Sequence, residues 1–256
     1  MEPISGVFKT QTQAENAVKE ALKSGISPDR VTLLTPGTVD HVNQEMLAVP
    51  TEAAEPPGMG EALGALAGGG VGLAGGSLLM ALVPGVGPIT AIGLLGAAIL
   101  AAAGATIGAT VGNEMESYTT EGLPEDAIFV YEDALRRGRS VVVVTPENNE
   151  QEKITRGVLE AAGAETIDRA REMWWLGLRD AEQERYPTDG GKFEDDERYF
   201  RAGFEAALHS KNRGKSYQES HKDLGDAEPR LHESGPFRRG YERGREYLDA
   251  IRKQAS

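Results

Sequence analysis

The sequence predicts an α+β fold in which two β-α-β halves of a ferredoxin-like sheet are split by a glycine-zipper helical hairpin and followed by a small C-terminal helical module. Three observations predict it. A strand-helix-strand pattern occurs twice, no residue from Ala62 to Asn113 is charged, and the chain turns charged and aromatic after residue 168. In order, the segments are a first half over 1–35, a linker over 36–58, the hairpin over 59–116, a second half over 117–168 and the helical module over 169–256.

The first half opens with Ile4-Ser5-Gly6-Val7-Phe8, which reads as a short strand. Ala14, Ala17, Val18, Ala21 and Leu22 then recur at helical spacing and define one apolar face. Gly25 stands where a helix ends, because glycine enters the left-handed region without a Cβ clash. Val31-Thr32-Leu33-Leu34 supplies the second strand, closed by Pro36-Gly37.

The plan then repeats. Pro124 opens a helix carrying Ile128, Tyr131 and Leu135, with Gly138 after it. Ser140-Val141-Val142-Val143-Val144 is rich in β-branched residues, which suit a pleated, buried surface. A helix from about Asn149 to Ala162 follows, with Ile154, Val158 and Leu159 inward, then Gly163 and a brief strand at Glu165-Thr166-Ile167. Two units of equal order point to one β-α-β-β-α-β sheet.

Between them lies the glycine-rich stretch. Ala62–Leu82 and Ile89–Val111 are each long enough, at 1.5 Å per residue, to cross about 30 Å of hydrocarbon as a helix. Val83-Pro84-Gly85-Val86-Gly87-Pro88 makes the reversal. Gly60, Gly64, Gly68, Gly72 and Gly76 recur every fourth residue, and Gly96, Gly104, Gly108 and Gly112 answer in the second limb. On a helix this spacing bares a stripe of backbone against which another helix packs closely. Burial either in a bilayer or in a helical oligomer satisfies such a hairpin. Its leucines and isoleucines are too numerous for a disordered linker.

Composition narrows the partners. With 27 Lys+Arg against 40 Asp+Glu the net charge is −13 and no segment is basic, which argues against nucleic acid, whose phosphates need a concentrated positive surface. There are no cysteines, so thiolate chemistry and disulfides are excluded. The N-terminus shows no basic region leading into an apolar one, so the soluble parts are expected to face the cytoplasm.

The motifs and their order resemble the bacterial general stress protein family, also called heat-induced stress proteins. The similarity covers about residues 4–168. It is carried by Gly6-Val7-Phe8 before Ala14-Glu15-Asn16-Ala17-Val18, by Gly25 and Val31-Thr32-Leu33-Leu34, by the Val83–Pro88 reversal, and by Gly122-Leu123-Pro124 before Tyr131-Glu132-Asp133-Ala134-Leu135-Arg136-Arg137-Gly138. The resemblance implies a stress-associated role and brings no catalytic residue. The 36–58 linker is longer than the family pattern.

The C-terminal region holds three similar stretches: Trp174-Trp175-Leu176-Gly177-Leu178, Phe200-Arg201-Ala202-Gly203-Phe204 and Phe237-Arg238-Arg239-Gly240-Tyr241. An aromatic three residues before a glycine, with a large residue after it, predicts short helices that cross closely at the glycine. Trp174, Trp175, Phe200, Tyr217 and Tyr241 could instead line an aromatic cage or stacking site. Aromatics at helical spacing are more often core.

Other candidates fail on spacing. Arg213-Gly214-Lys215-Ser216 lacks the first glycine of a phosphate loop, since position 209 is histidine. The acidic run Asp189–Asp196 does not follow calcium-loop spacing, and His41, His209, His221 and His232 are scattered. The expectation is therefore a non-catalytic, stress-associated protein without a cofactor. It inserts in a membrane or self-assembles through the hairpin, so its partners are itself and a lipid bilayer; a soluble cytoplasmic oligomer is the alternative location. A small-molecule-binding or sensory module tethered by the hairpin is the second reading.

Overall fold

A computed structural model describes residues 1–37, 78–93, 95–105, 124–187, 191–227 and 231–254. The chain divides into two compact units. One comprises Met1–Pro124 and Tyr131–Ile167, the other Glu125–Val130 and Asp168–Ser256. Among the described residues there are eight α-helices and one six-stranded antiparallel sheet, an α+β fold.

In the first unit, β1 (Ile4–Phe8) leads to α1 (Gln11–Lys23), which starts because the Thr10 hydroxyl accepts a hydrogen bond from the Gln13 amide. Gly25, at φ 88°, reverses the chain after α1. The strands β2 (Val31–Pro36), β3 (Leu78–Val83) and β4 (Gly87–Ile92) come next, then α2 (Leu95–Ala102). The unit continues through α3 (Ile128–Arg136) from Tyr131 onward, β5 (Ser140–Val144), α4 (Asn149–Ala161) and β6 (Glu165–Thr166).

The sheet order is β3-β4-β2-β5-β1-β6. β5 lies between β1 and β2 and is antiparallel to both, with Val142 opposite Gly6 on one side and Leu33 on the other. Its five residues are all fully buried, as a strand covered on both faces requires. One face packs Ile4, Phe8, Val31, Leu33, Val142 and Val144 against α1 and α4. On the other face the Ser5 and Tyr131 hydroxyls meet at 2.5 Å, and Thr32 Oγ1 accepts the Leu95 amide at the start of α2. Gly6 is required where β1 passes the turn after α4: a Cβ there would sit 2.7 Å from the Ala164 methyl.

The reversal at Val83–Pro88 is a β-hairpin and not the bend of a helical hairpin. Leu78–Val83 and Gly87–Ile92 pair antiparallel, and β4 adds to β2. Proline followed by glycine at φ 81°, with the Val86 amide bonded to the Val83 carbonyl, is the chemistry of a type II turn. Arg136 Nε ties that turn down at the Gly85 carbonyl, 2.7 Å away. An uninterrupted apolar run carries no period that separates a buried strand from a helix, and the open edge of β2 decides for strand. In consequence Gly96 lies in α2, where a Cβ would be 2.9 Å from the Ala91 methyl, and Gly104 follows that helix at φ 76°. Gly60, Gly64, Gly68, Gly72, Gly76, Gly108 and Gly112 lie outside the described residues. No helix among the described residues is long and apolar enough to cross a membrane.

The second unit is helical: α5 (Ile167–Arg185), α6 (Phe193–Leu208), α7 (Tyr217–Ala227) and α8 (Gly235–Gln254). The three motif-bearing helices, α5, α6 and α8, run 19, 16 and 20 residues, longer than the short helices expected.

Candidate interaction site in the helical unit

Two of the three repeated glycines meet. A Cβ on Gly203 would overlap the Phe237 carbonyl, and a Cβ on Gly240 would overlap the Phe200 carbonyl, so each helix passes the other at the same place in the motif. One turn further on, a Cβ on Gly244 would lie 2.9 Å from the Ala207 methyl. Gly203-x-x-x-Ala207 and Gly240-x-x-x-Gly244 thus form a small-xxx-small crossing in which backbone touches backbone. The third glycine does not take part. Gly177 is exposed on α5, as is Ala181 four residues on.

The aromatics are core and not a ligand cage. Trp174, Trp175, Phe200, Phe204 and Tyr241 are at most 2 % exposed. Trp175 and Phe204 meet edge to face at 5.9 Å between ring centres, and Tyr186 and Phe200 at 5.5 Å. Tyr217 packs edge-on against Tyr241 and stacks over His221, which in turn lies 5.1 Å from His232.

Around this core runs a lattice of arginines and carboxylates that the sequence reading did not assemble. Arg179 Nε and Nη2 donate to the Glu197 carboxylate at 2.8 Å each, and the Trp175 indole donates to it at 2.9 Å. Arg201 bridges Glu172 and Glu205. Arg243 grips Glu182 through Nε and Nη2, at 2.8 and 2.7 Å, and also reaches Glu246. Arg239 lies over the Tyr186 ring and donates to its hydroxyl, which donates to Asp196. Charges spaced i, i+3 or i, i+4 were readable in the sequence; pairs such as Glu182 with Arg243 become visible only when helices meet.

The bond from Arg179 holds the Glu197 carboxyl below the usual glutamate range; burial opposes it and the Trp175 bond adds to it. A carboxyl whose pKa is lower folded than unfolded stabilises the fold above its unfolded value, near 4.5, and that contribution fades as pH falls through the lowered folded value. The helical unit should accordingly lose stability below pH 4.5. Glu197→Gln should flatten that acid dependence in urea titrations followed by tryptophan emission, and an unchanged pH profile would refute the assignment.

A cleft of about 180 Å³ opens beside the lattice, lined by Glu182, Tyr186, Phe200, Arg239, Glu242 and Arg243 among others. Its guanidinium groups face carboxylates of the same chain, so the arrangement locks helices together. The fold and this site define an α+β unit joined in sequence to an aromatic, ion-laced helical unit. The chain matches no protein-family model, curated protein or solved structure.

Proposed function

We propose that the chain is a non-catalytic, stress-associated protein that acts by associating with copies of itself, or with a bilayer, through its glycine-rich segment, and that its first unit is a ferredoxin-like carrier of that segment. The order β6-β1-β5-β2, with helices after β1 and β5, supports the ferredoxin-like reading. The observation that carries the association is the sequence itself: no charge from Ala62 to Asn113, and glycine at every fourth position from Gly60 to Gly76. Ile89, Ala91, Ile99 and Leu100 are buried in the first unit, so the proposed associating surface leaves out β4 and α2 and draws on Gly60, Gly64, Gly68, Gly72, Gly76, Gly108 and Gly112. The resemblance of residues 4–168 to general stress proteins supports the stress-associated role.

Light scattering tests the reading on the 27.3 kDa chain. In buffer the protein should be larger than a monomer, or require detergent to remain in solution. Gly68→Ile combined with Gly72→Ile should reduce it to a monomer by filling the bare stripe. A wild-type chain that is monomeric without amphiphile would refute the proposal.

A further inference from the structure

The cleft beside the arginine lattice lies wholly within the helical unit, and its lining divides by chemistry. Tyr186, Pro187 and Phe200 form an apolar wall. The remaining lining residues are arginines and glutamates in equal number, but their bonding capacity is unequally used. Glu182 accepts two hydrogen bonds from Arg243, Glu246 is paired with Arg243, and Glu242 accepts one from Arg238 at 3.1 Å. The cations keep donors to spare. Arg185, its side chain 63 % exposed, reaches Glu182 at 3.5 Å, a carboxylate that Arg243 already holds. Arg239 spends Nη2 on Tyr186 and Asp196, while its Nε is buried with no hydrogen-bond partner among the described residues. A buried charged donor without an acceptor is costly, and it marks a place where one is wanted.

We propose that this cleft binds a small carboxylate carried on a flat apolar body. The carboxylate is held by Arg185 and Arg239, and the body lies against Tyr186, Phe200 and Pro187. Spare N–H groups select an acceptor, whereas an amine would meet only carboxylates that are already engaged. Two aromatic walls favour a ring as the apolar body. Volume sets the size. The cleft's 180 Å³ is close to the roughly 150 Å³ that holds benzene and short of the roughly 300 Å³ at which drug-sized sites begin. A single ring fits and a nucleotide does not. Inorganic phosphate would satisfy the arginines but leave the apolar wall uncovered. The net charge of −13 repels anions at long range, so affinity rests on these local donors and is modest.

Fluorine NMR of para-fluorobenzoate with the full chain tests this, and it reads binding whether or not the chain associates through its glycine-rich segment. The probe's transverse relaxation should rise saturably with protein, with a Kd of about 1 mM, in keeping with so few atoms. Unlabelled benzoate should displace it. The uncharged isostere para-fluorobenzamide should bind about tenfold more weakly, and equimolar inorganic phosphate should not compete. Arg185→Gln removes an exposed cation without touching the core, and should weaken binding about tenfold at unchanged tryptophan emission. Arg239→Lys, which keeps a charge but loses Nε, should weaken it about fivefold. Arg156→Gln, an exposed arginine of α4 in the other unit, should leave binding unchanged. Absence of saturable binding, equal binding of the benzamide, displacement by phosphate, or an Arg185→Gln affinity equal to wild type would each overturn the proposal.

Discussion

Gly203→Ala is expected to destabilise the helical unit by about 2 kcal/mol: overpacking at the upper end of its range costs about 3 kcal/mol, and alanine regains roughly 1 kcal/mol over glycine in a helix. The new methyl would occupy the place of the Phe237 carbonyl, and the Gly240 contact on Phe200 is its reciprocal, so neither helix can retreat without dragging the other. Both tryptophans of the chain, Trp174 and Trp175, belong to this unit, so urea unfolding followed by their emission isolates it from the first unit. Gly157→Ala gives the contrast. It lies inside α4 with open space where a Cβ would go, and should stabilise the first unit by about 1 kcal/mol in circular dichroism melts. A Gly203→Ala midpoint equal to wild type would mean that the close crossing does not hold the unit.

The second large effect falls on the buried ion pair. Glu182 is 3 % exposed and accepts two hydrogen bonds from Arg243, with Arg185 at 3.5 Å. Glu182→Met should cost about 3 kcal/mol, the low end for breaking a buried pair, since Arg243 keeps Glu246 and some contact with water. Pairing it with Arg243→Leu should return most of that loss, because no uncompensated charge is then left inside. A double-mutant cycle by urea denaturation decides this. Additive losses would show that the two side chains act independently.

Much of the first unit was legible because its elements carry local punctuation. Ala14, Ala17, Val18 and Ala21, picked out by spacing, are the buried face of α1. Gly25, Gly138 and Gly163 all take positive φ where a helix was expected to stop. The valine run of β5 declared itself by β-branching alone. Leu78–Ile92 did not, because apolar residues fill the exposed as well as the buried positions of its strands (Leu82 is 49 % exposed), so no polar alternation marks them and the choice is made by what lies beside them. The glycine motif of the helical unit was visible as a pattern, yet nothing local told which copies would meet. The arginine lattice was hidden for the same reason: Arg243 finds Glu182 across sixty-odd positions of chain.

The central place of β5 also bears on how the protein is made. β1 and β2 flank it and do not touch, so the N-terminal strands have no partner between them until residues 140–144 leave the ribosome. At about 5–20 residues per second, synthesis of the hundred-odd residues after β2 takes on the order of 5 to 20 s. For that interval the nascent chain must carry Val31–Pro36, joined partway through by the apolar β3–β4 hairpin, without the strand that completes their sheet. Slow translation or heat would lengthen the exposure, and chaperones that shield unpaired strand edges would be most needed at that stage of synthesis.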